Sequence, residues 1–300
     1  MFSEATKSTY SVHLKSYLKF CATYKLKPCP AESSTLARYI SYLARSKCYN
    51  SVAQYLNIIR LIHQECGYQN PLKDNWQVAT VLRGVKRGKG QAVDVRAPLL
   101  PPHLELIRDQ LNLELLQDLQ FWAITIIAFF GLLRIGNLTP PNSVRRKDML
   151  VTASGISLVI YKSKTIQYRQ RVHSVVLPYI PGHKLCPVTA LLKLVAKTPS
   201  CSPDAPLCAI MDTKGHPSII SASGYRARLN SVTSRCPQIP SCSTHSLRKG
   251  GATWLLSCGV PLAVVRIMGD WASDAVFKYL LPDNASKFQF ISSAIASLYK

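Results

Sequence analysis

His245 and Arg248 stand three residues apart in the stretch THSLRKGGATWLL, and on a helix that spacing puts both side chains on one face. An imidazole that titrates near neutrality, beside a guanidinium that keeps its charge, can hold one anionic group between them. Tyr279 follows Arg248 by 31 residues, after a Gly-Val-Pro turn at Gly259–Pro261 and a Gly-Asp-Trp at Gly269–Trp271. That path allows a phenol to return to the same spot. Arg134 directly follows the apolar run LLQDLQFWAITIIAFFG at 115–131. A charge in that setting is prohibitive to bury alone, so Arg134 either sits in a structural bridge or cap or faces a functional cleft. Lys162 and Lys164 close the strand-like segment GISLVIYKSKT at 155–165. A lysine at a hairpin tip reaches outward into a groove, or simply charges an edge strand against aggregation. Fixed cations, a titratable ring and a phenol suit chemistry on a phosphate.

The elements that must position these groups are mostly helical. In residues 1–97 the apolar periodicity predicts four helices. The first buries Tyr10, Leu14, Tyr17, Leu18 and Cys21 and ends at Pro28 and Pro30. The second, capped by Ser33 or Ser34, buries Leu36, Ile40 and Leu43. The third, capped by Asn50 or Ser51, buries Val52, Tyr55, Leu56, Ile59 and Ile62. The fourth covers 74–83, with Trp76, Val78 and Val81 inside. Four such helices joined by short loops make a small all-α domain at 1–88. The run RGVKRGKG at 83–90 then leads into QAVDVRAP, a basic, glycine-broken linker whose interdomain part is 89–97. Arg83, Lys86, Arg87 and Lys89 there are suited to backbone phosphate contacts, which give affinity without sequence choice.

The second domain, 98–300, reads as α+β. A helix starting at Pro101–Pro102 carries Leu104, Ile107 and Leu111, and 115–131 is the central core helix. Segments 155–165 and 171–177 have strand composition and form a hairpin or small sheet. Helices follow from Pro187 to Lys197 and over 221–235, and a last amphipathic segment covers 285–298 with Phe288, Ile291, Ile295 and Leu298 on one side. The whole is mainly α with a small antiparallel β-sheet.

The net charge is +22, from 37 Lys+Arg against 15 Asp+Glu, so the field favours a polyanionic partner. Residues 1–97 alone hold 15 basic and 5 acidic side chains, a surplus of 10. A hydrophobic content of 47% argues for a folded protein and against a short, lysine-rich ribosomal component. No apolar run approaches a membrane span and the N-terminus has no signal-peptide core. The ten cysteines show neither CxxC nor zinc-ligand spacing, as expected for reduced thiols in an intracellular protein. There is no phosphate-binding glycine loop and no repeat.

Taken in order, these landmarks resemble the tyrosine recombinases of the phage-integrase superfamily. GLLRIGNL is similar to the first-arginine box, SKT to the hairpin lysine, THSLRKGGAT to the H-x-x-R box and GDWASDAVFKYL to the nucleophile box. The N-terminal stretch from TYSVHLKSYLKFC to VLRGVKRGKG resembles that family's helical core-binding domain, and its wording and that of the W-x-S-x-A-x-x-x-Y box are closest to eukaryotic mobile-element types (DIRS, Ngaro, Crypton). The resemblance covers nearly the whole chain. It implies that Arg134 and Arg248 clamp a DNA phosphate, that His245 serves as base or hydrogen-bond partner, and that Lys164, with Lys162 as the alternative, protonates the leaving 5′-oxygen. Tyr279 would be the nucleophile and Trp271 would donate its indole N–H. It further implies double-stranded DNA as partner, a tetramer when recombining, assembled through the C-terminal segment, a nuclear location, and no need for ATP, metal or other cofactor. The position usually His or Trp falls on Asp270, with Trp271 one step later; a carboxylate there is expected to point away from the phosphate. A catalytically inactive DNA-binding descendant and a nicking-closing topoisomerase are the competing readings.

Overall fold

The structure is a computed structural model that describes residues 4–90, 96–163, 166, 171–271 and 276. It divides into two compact units, Met1–Asp94 and Val95–Lys300.

The first unit is built from α1 (Glu4–Thr23), α2 (Ser33–Ala44), α3 (Tyr49–Glu65) and α4 (Trp76–Lys89). Tyr17, Leu36, Tyr39, Ile40, Val52 and Ile59 are fully buried between them. Their polar tips are satisfied: the Tyr17 hydroxyl donates to the Pro28 carbonyl at 2.9 Å, and that of Tyr39 to Ser16 Oγ at 3.1 Å. The caps move one turn or less upstream, to Glu32 for α2 and Cys48 for α3, so Ser33 and Asn50 lie inside the helices. Three further expectations change here. Leu18 is exposed and Phe20 is buried, so the inner stripe of α1 is His13, Tyr17, Phe20 and Cys21. Trp76 is 75% exposed because it opens α4 directly after the cap Asn75, before the buried face begins at Val78. The run 83–89 is helix: α4 continues to Lys89 and ends at Gly90, whose φ is 66°. Gly84 and Gly88 cost about 1 kcal/mol each in a helix, yet Val81, Leu82 and Val85 pack on the core and carry the helix through. Consequently Arg83, Lys86 and Arg87 share one exposed helical face, at i, i+3 and i+4, instead of lying along an extended strand.

The second unit contains α5 (Pro101–Asp109), α6 (Leu116–Phe130), β1 (Met149–Thr152), β2 (Gly155–Ile160), β3 (His173–Pro178), α7 (Pro187–Ala196), the short pair β4 (Ile210–Met211) and β5 (Pro217–Ser218), α8 (Ala222–Thr233), α9 (Thr244–Ser257) and α10 (Leu262–Met268). α6 is buried nearly all round, from Asp118 to Phe130. Its polar residues are used as ties: Thr125 Oγ1 meets the Tyr225 hydroxyl at 2.7 Å, and Gln120 Nε2 donates to the Cys208 carbonyl at 2.9 Å. Asp118 accepts from Arg228 on α8. The antiparallel sheet has the order β1-β2-β3, with Ile156 opposite Leu177 and Leu158 opposite Val175. These residues join the α6 core, giving the period-two pattern of a half-buried sheet. β1 was not anticipated; MLVT is mostly exposed and shows no inward alternation. The expected helix at 285–298 lies outside the described residues. Among the described residues no helix is long and apolar enough to cross a membrane, and all ten cysteines are unbridged.

Candidate active site

The site forms where the end of α6, the start of α9 and the loop after α10 meet. α9 begins with a capping box: Ser243 Oγ accepts from the helix start, and Ser246 Oγ accepts from the Ser243 N–H at 3.0 Å. His245 is exposed in that first turn. Arg248, one turn on, is only 2% exposed. It can lie so deep because two glycines follow it. A Cβ on Gly250 would stand 1.8 Å from the Leu99 carbonyl oxygen, and one on Gly251 2.3 Å from that of Phe129. Only hydrogen side chains let α9 press against both the extended segment 96–100 and the end of α6.

The burial of Arg248 is paid for by specific partners. Its guanidinium donates to the carbonyls of Leu132 and Gly269 and lies 4.0 Å from the centroid of the Trp271 ring. The Leu132 carbonyl is aimed by an unusual helix end. The Leu132 N–H bonds Phe129 O at 3.3 Å and the Leu133 N–H bonds Ala128 O at 3.0 Å, which is a Schellman closure. Glycine normally supplies the left-handed residue; here it is Leu132, at φ 49°. Its side chain is 1% exposed and packs with Ala252, Val265 and Trp271, and that burial offsets the backbone strain. Gly269 must be glycine for a similar reason, since a Cβ would overlap the Trp271 ring at 1.7 Å.

Two residues past Leu132, Arg134 caps the short 3-10 turn Ile135–Asn137. It is half-buried, and its guanidinium has no hydrogen-bonding or ionic partner among the described residues. The structural bridge that sequence left open for it is therefore not seen there. Buried Arg146 is the contrast: it donates to the Thr198 and Ala209 carbonyls at 2.8 and 3.0 Å and is a structural cation.

The β2–β3 hairpin is fastened to this centre at both arms. On the β2 side, buried Asn137 donates to the Lys162 carbonyl at 3.4 Å. On the β3 side, Arg171 pairs with Asp270, and half-buried His173 opens the strand beside that pair. Lys162 is exposed. Lys164 lies outside the described residues, as does Tyr279. Asp270 adopts φ 53°, and its carboxylate accepts from Arg171. Burial first, then the charges of Arg171 and Arg248, push the His173 imidazole below its ordinary 6.5, against the opposing pull of Asp270 and the Met268 contact. Arg171 and His173 were not singled out from sequence; the R-V-H opening of the second strand was the available signal.

The structure thus brings Arg248, Trp271 and the Arg134 turn together, with His245 one turn from Arg248. Arg83, Lys86, Arg87 and Lys89 lie in the other unit, all exposed on α4. Among the described residues no group of three His, Cys, Asp or Glu is placed to hold a metal ion.

No family model matches the chain, and no curated protein matches it by sequence. Solved structures do match by fold. An integrase of the Tn1549 transposon, in complex with transposon right-end DNA, superposes with a TM-score of 0.67 at 12% identity, over 98% of this chain and 95% of that one. A lambda integrase dimer bound to a COC′ core site gives 0.62 at 14% identity, over 93% and 72%. XerA recombinase gives 0.51 at 14%, over 98% and 93%. Helix-rich, with a small three-stranded antiparallel sheet packed on a buried central helix, the chain has the fold of the tyrosine recombinases and integrases.

Proposed function

We propose that the protein is a site-specific DNA recombinase that cuts and rejoins strands through a covalent 3′-phosphotyrosine link at Tyr279. The observation that carries this is Arg248, a buried guanidinium held rigidly between two carbonyls and an indole, one turn from an exposed histidine and next to the loop of a half-buried arginine with no described partner. In-line attack on a phosphodiester builds negative charge on the non-bridging oxygens, and preorganised guanidiniums are the fitting clamp. Arg134 and Arg248 take that role. The phenol must lose its proton as it attacks, with His245 as base or hydrogen-bond partner. The hairpin lysine, Lys164 with Lys162 as alternative, gives a proton to the departing 5′-oxygen. The new ester conserves the energy of the broken one, so the cycle requires neither ATP nor metal. Tn1549 and lambda integrases of this fold were solved on DNA, the latter as a dimer, which supports duplex DNA as partner and a multimeric working form. A eukaryotic mobile element as source, a nuclear location and a tetramer joined through the C-terminal segment belong to the same reading.

Asp270, where the resemblance leads one to expect His or Trp, favours a second reading: a DNA-binding descendant without catalysis. A nicked suicide duplex separates the two. Recombination chemistry traps a protease-sensitive covalent adduct, lost in Tyr279→Phe, and passes the strand to a second duplex. Binding with no adduct selects the second reading; relaxation of a separate supercoiled plasmid, with an adduct but no strand transfer on the duplex, selects a nicking-closing topoisomerase.

A further inference from the structure

The hairpin's two anchors raise the question of what they hold in place. The β2 arm is tied through Asn137 to the Arg134 turn, and the β3 arm through the Arg171–Asp270 pair to the 268–270 loop, whose Gly269 carbonyl receives Arg248. Both ends of the segment that carries Lys162 and Lys164 are thus referenced to the two arginine-bearing elements. The Arg171–Asp270 pair is the charged member of this arrangement. Its carboxylate is 12% exposed and its guanidinium 44%, so solvent screens it only in part. Asp270 also holds a left-handed backbone at φ 53°, which a short polar side chain with a local partner tolerates.

We infer that Arg171 and Asp270 are positioning residues, an ion pair that sets the register of the hairpin against the phosphate site and so delivers the lysine proton to the leaving oxygen. This rests on the recombinase reading above. In the step concerned, the Tyr279 oxygen forms a bond to phosphorus, the bond from phosphorus to the 5′-oxygen breaks, and that oxygen takes the lysine proton. A substrate with sulfur at the 5′-bridging position needs no such proton, because a thiolate is a far better leaving group than an alkoxide.

The test compares wild type, Arg171→Ala, Asp270→Asn and the charge swap Arg171→Asp/Asp270→Arg on suicide duplexes with oxygen or sulfur at that bridge. The expected result is a loss of about 100-fold in oxygen-substrate cleavage for the single variants, within the range a general acid supplies. On the sulfur substrate they should match wild type, and the swap should recover most oxygen-substrate cleavage. Equal loss on both substrates overturns the inference, since the pair then serves the fold or the phosphate clamp. Unchanged cleavage, or faster cleavage, also overturns it, the latter by making the pair an inhibitory latch. Failure of wild type on both substrates is a different result: it removes the recombinase reading itself.

Discussion

Arg248 is where fold and chemistry share one side chain. Its two carbonyl partners and the Trp271 ring make it part of the core, and the proposed function makes it a clamp on a phosphate. Arg248→Met keeps the volume but leaves the Leu132 and Gly269 carbonyls buried without a donor, at about 1–3 kcal/mol each. Urea unfolding should therefore show a loss of about 2–6 kcal/mol, together with loss of strand cleavage. A stability change under about 1 kcal/mol would contradict the buried seat. His173 gives a pH prediction. Its folded form binds a proton less readily than the ordinary 6.5, so the unfolded chain gains protons first as pH falls. Its stabilising contribution is fully present above 6.5 and is lost as pH drops through that value toward the lower folded one. His13 and His103 are displaced the same way by burial. The expected outcome is a shallower fall in stability between neutral and mildly acidic pH for His173→Gln than for wild type; identical slopes would contradict it.

At the scale of elements, glycines decide how closely helices approach. Gly250→Ala forces a methyl into the Leu99 carbonyl at 1.8 Å, and overpacking of that kind costs about 1–3 kcal/mol. Gly88→Ala meets nothing within 4 Å inside α4 and should stabilise by about 0.5–1 kcal/mol. Thermal melts with opposite signs for the two check the packing directly. The same residues show what sequence made legible. Apolar periodicity located α1 to α3, because burial on one face writes its period into the chain; proline starts, an apolar run and composition located α5 to α8 and the β2–β3 hairpin. The last turns of α4 were hidden, since Gly84, Gly88 and a run of charges read as a linker until Val81, Leu82 and Val85 are seen packed on the core. β1 was hidden because an exposed edge carries no alternation. Arg134, His245, Arg248 and Trp271 were singled out by type, spacing and the family resemblance, and the structure sets Arg248 against the Trp271 ring. Arg171 and His173 were not, because their meaning lies in the 268–270 loop, about a hundred residues further on, and only folding places them beside it. The left-handed turn at Leu132 was equally silent, for nothing in a leucine announces φ above zero.

For the molecule as a whole, a net charge of +22 in 300 residues predicts binding to duplex DNA that weakens steeply with salt. Each phosphate neutralised contributes about 0.9 to the slope of log affinity against log salt. Arg83, Lys86 and Arg87 on the exposed face of α4 should each account for about one such unit, so replacing all three with glutamine should flatten the slope by about 2–3. An unchanged slope would remove α4 from the interface. The central claim is covalent chemistry at Tyr279, and mass spectrometry of the protease-digested adduct on a nicked suicide duplex tests it most directly. The account predicts a nucleotide-bearing peptide with the phosphate on Tyr279, absent from Tyr279→Phe. A phosphate found on any other residue, or no adduct on cognate DNA, would contradict it.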